Sequence, residues 1–221
     1  MEGKRFIVAM LTVGTAVTAA AFDPHNMVYV SEVFRGSETV PPFVELYNAS
    51  SADVSLYNWR VRLYTSRGNE QFDVPYGAKI PSRGFFLLGK ETDKSRWGEL
   101  GVQPDCYVNA GMEFFPEKGG VILYKNNGDV RDALGWGTPP APFYEGKPQN
   151  APASDESIER KSSPLHSEQG GNAYDTGDNA TDTYLRIHPQ PQNNASPRET
   201  PSASTESAAW GRIRAIYYRD E

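Results

Sequence analysis

The sequence contains few of the residues that usually carry cross-links or catalysis. It has one cysteine, Cys106, and three histidines in 221 residues, so no disulfide can form within the chain and stability has to come from packing. The histidines lie far apart, and none belongs to a pair with the spacing of a zinc site. The sequence also has no Gly-x-Ser-x-Gly motif, no phosphate-binding loop and no paired-cysteine motif. We therefore expect a protein that is not an enzyme.

Long hydrophobic runs are missing everywhere except at the N-terminus. Elsewhere the longest apolar runs are about five residues, whereas a membrane helix needs about 20. A basic pair at residues 4–5 is followed by the apolar stretch Phe6–Val17 and by three alanines, an order typical of a secretory signal peptide. We predict that residues 1–21 are a signal peptide, cleaved before Phe22. The mature chain would then have no transmembrane span and would be secreted, periplasmic or bound to the cell surface. An uncleaved anchor is the alternative that we favour less.

Basic residues are outnumbered by acidic ones. The chain has 22 Lys and Arg against 28 Asp and Glu, a formal charge of −6. Removal of residues 1–21 takes away two basic residues and one acidic residue, which makes the charge −7. Phosphate backbones repel an acidic protein. We therefore expect a protein or a cell-surface component as the partner, and not nucleic acid.

Turn-forming residues are abundant, with twenty glycines and seventeen prolines. They separate short segments that alternate in polarity or are continuously apolar, as β-strands do. These segments lie at 28–34, 43–47, 54–59, 59–64, 71–74, 85–88, 119–124, 129–136, 157–160 and 184–187. One helical turn is predicted over 94–100. The pattern predicts an all-β protein.

The segment from Phe43 to Trp59 is the one around which we expect the other strands to assemble. Alternation places Glu45 on the same face as Phe43 and Tyr47, and a turn-rich cluster begins at Asn48. Glu45 has two interpretations: a ligand or catalytic carboxylate, or an acceptor for the amides of the following turn. We favour the turn role, because a partly buried acid is tolerated when it is hydrogen-bonded.

Eight short segments together suggest a family. In chain order they are VSEV at 30–33, FVELYN at 43–48, VSLYNW at 54–59, IPSRGFFLL at 80–88, GVILY at 120–124, DVRD at 129–132, SIER at 157–160 and DNATD at 178–182. This ordered set resembles the lamin tail domain family, found in nuclear lamins and in exported bacterial proteins. The resemblance implies an immunoglobulin-like β-sandwich with long loops over residues 22–188. It makes Glu45, Asn48 and Trp59 structural signature positions.

The same resemblance implies an interaction role and indicates no ligand. We expect an exported bacterial module that is non-enzymatic and serves binding or structure, through contacts with proteins or with a cell-surface polymer. The alternative is an accessory domain protein that serves an exported hydrolase or nuclease.

The best candidate for a metal site is a cluster of acids on a glycine-containing loop. Asp175, Asp178 and Asp182 offer the hard oxygen ligands that Ca²⁺ prefers, although their spacing does not fit the helix-loop-helix calcium motif. Aspartates in such loops are also good turn and cap formers, which is the interpretation we favour. No other cofactor is expected.

The composition changes after residue 188. Residues 189–208 are rich in Pro, Asn and Ser, and we predict a flexible linker there. A short amphipathic segment follows at 209–221. On a helix it would present one apolar face, formed by Trp210, Ile213, Ile216 and Tyr217. Two interpretations stay open: a docking or sorting element, and an additional strand or frayed end.

Overall fold

The computed structural model describes residues 24–109, 111–114, 116–165 and 170–202. Twelve strands follow one another in these ranges: β1 (Val28–Phe34), β2 (Phe43–Asn48), β3 (Val54–Ser55), β4 (Arg60–Thr65), β5 (Gly68–Asp73), β6 (Lys79–Ile80), β7 (Phe85–Lys90), β8 (Cys106–Val108), β9 (Gly119–Tyr124), β10 (Val130–Trp136), β11 (Glu156–Arg160) and β12 (Thr183–Ile187). The helices are α1 (Lys94–Leu100) and α2 (Asn179–Asp182), with 3-10 turns at Pro24–Met27 and Glu91–Asp93.

The strands form two main sheets. The large sheet has the order β12-β11-β1-β2-β7-β8, and the small sheet has the order β10-β9-β4-β5. Neighbouring strands are antiparallel, except that β7 and β8 are parallel. Strands β3 and β6 pair separately. The predicted all-β architecture is confirmed, and the two sheets enclose the main core.

Alternation along the strands decides which side chains enter this core. On β2, Val44 and Leu46 point between the sheets and are fully buried. Phe43 and Tyr47 point to the opposite face of the large sheet, where they pack in separate clusters. The predicted signature residue Trp59 is fully buried in the main core. Both faces of the large sheet are therefore covered.

Helix α1 and the chain after β12 cover the outer face of the large sheet. The ring of Trp97 in α1 contacts the Phe43 ring edge-on, with the centroids 6.1 Å apart. The outer face of the small sheet is covered by the long connection before β11, where Phe143 packs on Ile122 and Ala133. Within the described ranges, no helix has the length and apolar character needed to cross a membrane.

The predicted flexible linker over 189–208 is wrong as far as residue 202. The Tyr47 hydroxyl donates to the Glu199 carbonyl, and the Glu199 N–H donates to the Arg83 carbonyl at 2.9 Å. Backbone hydrogen bonds to distant residues replace the apolar contacts that this composition lacks, and sequence composition does not show them. Residues 203–208 lie outside the described ranges.

Three short elements were not predicted. Strand β6 has two residues, β8 has three and α2 has four. Segments of this length are too short to show a period of 2 or 3.6 residues. The predicted helical turn at 94–100 coincides with α1.

Candidate functional site

The aspartates predicted as calcium ligands lie around helix α2, where two of them hold the loop together. Asp178 is the N-cap of α2, and its Oδ1 accepts a hydrogen bond from the Thr181 N–H at 3.0 Å. Asp182 accepts hydrogen bonds from the N–H groups of Thr176, at 2.8 Å, and Gly177, at 3.1 Å. These bonds correspond to the turn and cap role that we favoured from the sequence.

The third predicted ligand, Asp175, belongs to a different group of acids. Asp132, Glu145 and Asp175 each contribute an oxygen within 4.8 Å of the other two. The fully buried Arg160 lies among them. Its Nη2 is 2.8 Å from both oxygens of Asp132, while its Nη1 is 3.7 Å from Asp175 and 3.9 Å from Asp182. We call these five residues the Arg160 cluster. Its guanidinium supplies from within the chain the positive charge that a metal ion would bring.

Asp132 and Arg160 also complete the hydrogen bonding of strand β1. Strand β11 pairs with β1 only at Glu32 and Val33, which leaves Val30 without a strand partner on that side. The Val30 N–H donates to Asp132 Oδ2 at 2.7 Å, and Arg160 Nε donates to the Val30 carbonyl at 3.0 Å. Buried backbone groups have to be paired. The ion pair takes the place of the missing strand and links the two sheets.

Glu145 lies at the margin of the Arg160 cluster and differs from its other acids in hydrogen bonding. Its Oε2 is buried and has no hydrogen-bond partner among the residues that the structure describes. Burial, together with the Asp132 and Asp175 carboxylates, raises the pKa of Glu145 to about 8. Glu145 is therefore mostly protonated at pH 7.

A second group of acids forms a row across the outer face of the large sheet. Glu32 on β1 is the register partner of Glu159 on β11 and of Glu45 on β2. All three side chains are buried, and we call them the carboxylate row. Like charges opposite each other destabilise a sheet. The row therefore needs hydrogen-bond donors or bound protons.

At one end of the row, Glu159 is paired with a cation. Arg186 Nη1 lies 2.7 Å from Glu159 Oε2, and the Tyr184 hydroxyl donates to the same oxygen at 2.6 Å. The Asn172 amide donates to Oε1 at 3.0 Å. Glu159 has the donors that an ionised carboxylate requires.

The other two members of the row have neutral donors. The Ser157 hydroxyl donates to Glu32, and the Ser31 hydroxyl donates to Glu45 at 2.7 Å. The second oxygen of Glu45 accepts a hydrogen bond from the Gln192 backbone N–H. The chain after β12 thus lies directly over the row.

Burial changes the acidity of these two glutamates. It raises the pKa of Glu32 to about 8, and the nearby Glu159 carboxylate adds to the effect. Burial and the neighbouring Glu32 also raise the pKa of Glu45 well above its usual range. At neutral pH Glu32, in the centre of the row, therefore carries a proton.

Asn48 holds the turn that the sequence analysis assigned to Glu45. Asn48 Nδ2 donates to the carbonyls of Ala52, at 2.8 Å, and Pro81, at 3.0 Å, and its Oδ1 accepts from the Ser50 N–H at 2.9 Å. The predicted turn role of Glu45 is wrong. Its side chain stands perpendicular to the sheet in the middle of β2, so it cannot reach back to the turn at the end of the strand.

A cleft is open where the edge strands of the two sheets approach each other. Strand β5 is an edge of the small sheet, and β8 is an edge of the large sheet. The cleft has a volume of about 520 Å³, and its lining includes Glu70, Phe72 and Asp73 on one side and residues 106–109 on the other. Phe72 packs against the main core and gives the cleft an apolar floor. We call it the edge cleft.

Some of the predicted residues cannot be compared with the structure. The docking residues Trp210, Ile213, Ile216 and Tyr217 lie outside the described ranges. His188 is exposed, and the side chains of the other two histidines are not described.

Sequence reasoning missed most of the residues in the two acid groups. Glu32 stands inside the strand segment VYVSEVF, and Arg160 ends the segment SIER. A charged residue within an otherwise apolar strand is rarely buried without a partner. This pattern could have identified both residues as members of buried networks, although it does not name their partners.

Comparisons with known proteins agree on the fold. A solved structure of a DUF4876 family protein from Bacteroides thetaiotaomicron VPI-5482 is 10% identical and has a TM-score of 0.57, covering 82% of this chain and 76% of that chain. At this identity the likeness concerns the fold alone. No curated protein matches the chain.

The family follows from the sequence match. The model of the lamin tail domain, a non-catalytic immunoglobulin-like domain, matches residues 23–138, more than half of the chain and the part that contains β1 to β10. The expected immunoglobulin-like sandwich is confirmed, and the chain belongs to the lamin tail domain family.

Proposed function

We propose that this chain is an exported, non-enzymatic binding or structural module that contacts a protein or a cell-surface polymer. The fold and the family do not name the partner, because function depends on the particular sites that a domain carries. The observation that supports a binding role is the free backbone edge of strand β5 beside the edge cleft.

The free edge follows from the hydrogen-bond pattern of the β4–β5 ladder. The Val74 N–H donates to the Trp59 carbonyl at 2.8 Å just beyond the end of the ladder. Hydrogen-bonded pairs alternate along an antiparallel ladder, so the backbone groups of Asn69, Gln71 and Asp73 point away from β4. In the part of the chain that the structure describes, no backbone group pairs with these three residues. Edges of this kind can pair with an extended segment of another chain.

The buried acids support a structural role for the two charged groups. Asp132 and Arg160 connect the sheets, and the carboxylate row binds the chain after β12. Their hydrogen bonds are made to strands and loops of this chain. Binding of a partner is therefore expected at the edge cleft.

Cross-linking in producing cells tests the binding role. A photo-cross-linking residue at Gln71, which is exposed on β5, should capture a discrete protein partner. The same residue at Asn127, exposed in the turn between β9 and β10, is the matched control and should not. Introducing Asn69→Pro removes an outward N–H from the edge and should abolish the adduct at position 71. Equal adducts at both positions would contradict the proposal, and so would the absence of any adduct, to protein or to polymer, at position 71.

Export has a separate test. The N-terminal residue of the protein recovered from outside the cytoplasm should be Phe22, because cleavage is predicted after the third alanine. Recovery of the chain with residues 1–21 still attached would contradict the proposed processing.

A further inference from the structure

The chemistry of the edge cleft defines the segment that would fill it. A strand added beside β5 would direct alternate side chains to opposite faces. One set would face Phe72 and the gap between the sheets, and the other would lie beside the exposed Gln71 and Asp73. On the outer side Asp73 is acidic, whereas Glu70 lies on the same face as Phe72 and accepts a hydrogen bond from the Gly111 N–H. A fitting segment therefore places apolar residues inward, over Phe72, and a basic residue outward, beside Asp73.

The C-terminal sequence of this chain has that alternation. Residues 211–217 read GRIRAIY, in which Arg212 and Arg214 alternate with Ile213 and Ala215. Isoleucine and tyrosine are enriched in strands. The segment carries basic residues in an acidic chain, and their charge complements that of Asp73.

We propose that residues 211–217 of one copy of the chain bind the edge cleft of a second copy, as a strand added to β5. The inference rests on the proposed binding function and names the partner at that site. Ile213 and Tyr217 would face inward onto Phe72. Arg212 and Arg214 would face outward on the side of Asp73.

Chain length favours a second copy over the same copy. The Ser202 hydroxyl donates to the Ser162 carbonyl at 2.7 Å, just after β11. In the large sheet β11 is four positions from β8, which is about 19 Å, and the other sheet lies about 10 Å further. The eight residues 203–210 span at most about 28 Å when fully extended. A path around the sheet edge would use this whole length, whereas a second copy can approach freely.

Self-association of the mature full-length chain is the test. Analytical ultracentrifugation should show concentration-dependent assembly of the wild type. Gln71→Pro removes an outward N–H without breaking a bond to β4, and Ile213→Asp places a charge at an inward position; each should weaken assembly by at least about tenfold. The matched control is Ile216→Asp, because Ile216 would face outward on a strand. It should assemble like the wild type.

Mixing the two defective variants checks that edge and segment bind each other. The Gln71→Pro chain keeps an intact segment, and the Ile213→Asp chain keeps an intact edge. Neither should assemble alone, whereas an equimolar mixture should form a complex of the two. Ile213 lies after the described residues of the sandwich in the sequence. The result for Ile213→Asp can therefore be interpreted even if Gln71→Pro perturbs the fold.

Three outcomes would overturn the inference: a monomeric wild type, an equal effect of Ile213→Asp and Ile216→Asp, or a mixture that fails to associate. Cross-links from position 71 to a different protein, without self-association, would overturn this inference and leave the proposed function intact. The absence of any adduct at position 71 would contradict both.

Discussion

The Arg160 cluster and the carboxylate row are both buried groups of acids, and their charge is balanced in different ways. In the first, one guanidinium donates to both oxygens of Asp132 at 2.8 Å. In the second, Glu32 accepts a hydrogen bond from the Ser157 hydroxyl and has Glu159 and Glu45 as register neighbours. Burial and the Glu159 carboxylate raise its pKa to about 8. The same degree of burial thus favours an ion pair in one place and a bound proton in the other.

Glu145 shows that direct contact with the guanidinium decides this, and not membership of a cluster. It lies in the Arg160 cluster, yet its Oε2 has no described partner and burial raises its pKa to about 8. Direct contact with a guanidinium favours the ionised form of a buried carboxyl group, whereas burial with neutral donors or with none favours the protonated form. Four predictions test this comparison, from the largest expected effect to the smallest.

Removal of the guanidinium should have the largest effect on stability. Arg160→Ala leaves Asp132 as an uncompensated buried charge and the Val30 carbonyl without its donor. We expect the free energy of unfolding to fall by about 3–5 kcal/mol, measured by urea denaturation. The control is Lys79→Ala, which removes an exposed ion pair with Asp53 and should have a much smaller effect, because solvent screens exposed charges. If the free energy of unfolding fell by a similar amount in both variants, the buried Arg160 would contribute no more to stability than an exposed ion pair does.

The carboxylate row should make stability depend on pH. The folded pKa of Glu32, about 8, lies above its ordinary value of 4.5, so the folded state holds a proton that the unfolded state releases. This contribution is fully present below pH 4.5 and is lost as the pH rises to about 8; it amounts to a few kcal/mol at most. Urea denaturation at pH 5 and pH 8 should show the loss in the wild type.

Glu32→Gln should reduce this pH dependence, because the amide is uncharged at every pH. The remaining slope comes from Glu45 and Glu145, whose pKa values burial also raises. Glu38→Gln, at an exposed position, is the matched control and should keep the wild-type slope. If Glu32→Gln kept the full slope, Glu32 would not contribute to the pH dependence.

The chain after β12, which covers the carboxylate row, should contribute less to the free energy of unfolding. Tyr47→Phe removes the hydroxyl that donates to the Glu199 carbonyl and should cost about 1 kcal/mol. Hydrogen exchange should quicken at the Glu199 amide, which is bonded to the Arg83 carbonyl. Tyr76→Phe, at a side chain that is 89% exposed, should change neither the free energy of unfolding nor the exchange rate of the Glu199 amide. Unchanged exchange in Tyr47→Phe would mean that this bond does not hold the segment.

Calcium should have no effect on stability. The oxygens of Asp178 and Asp182 already accept hydrogen bonds from their own loop, and Arg160 lies beside Asp175. The melting temperature should therefore be the same with calcium and with a chelator. A rise with calcium that Asp175→Asn abolishes would contradict this prediction and establish the site expected from the sequence.

The strands were predictable because their evidence is local. The predicted bounds of β1, 28–34, agree with the structure, and the alternation on β2 correctly separated Val44 and Leu46 from Phe43 and Tyr47. Strand β8 and helix α2 were missed because each is shorter than the period that would identify it.

The two acid groups could not be predicted, because their partners are distant in the sequence. Gln192 and Glu45 are 147 positions apart, and Asp132 and Arg160 are 28 apart. A flexible linker was the natural interpretation of residues 189–208, since nothing in their composition indicates the carboxylates beneath them.

The sequence by itself determined that this protein is all-β, since side-chain alternation and turn residues act within a few positions of each other. The ordered set of short segments, and not the alternation, indicated the lamin tail family. Only the tertiary structure decided which acids meet a guanidinium and which keep a proton. That choice depends on burial and on donors that the fold brings together from separate strands and loops. The tertiary structure also decided that β5 is a sheet edge among the described residues, because sheet order is not a local property of the chain.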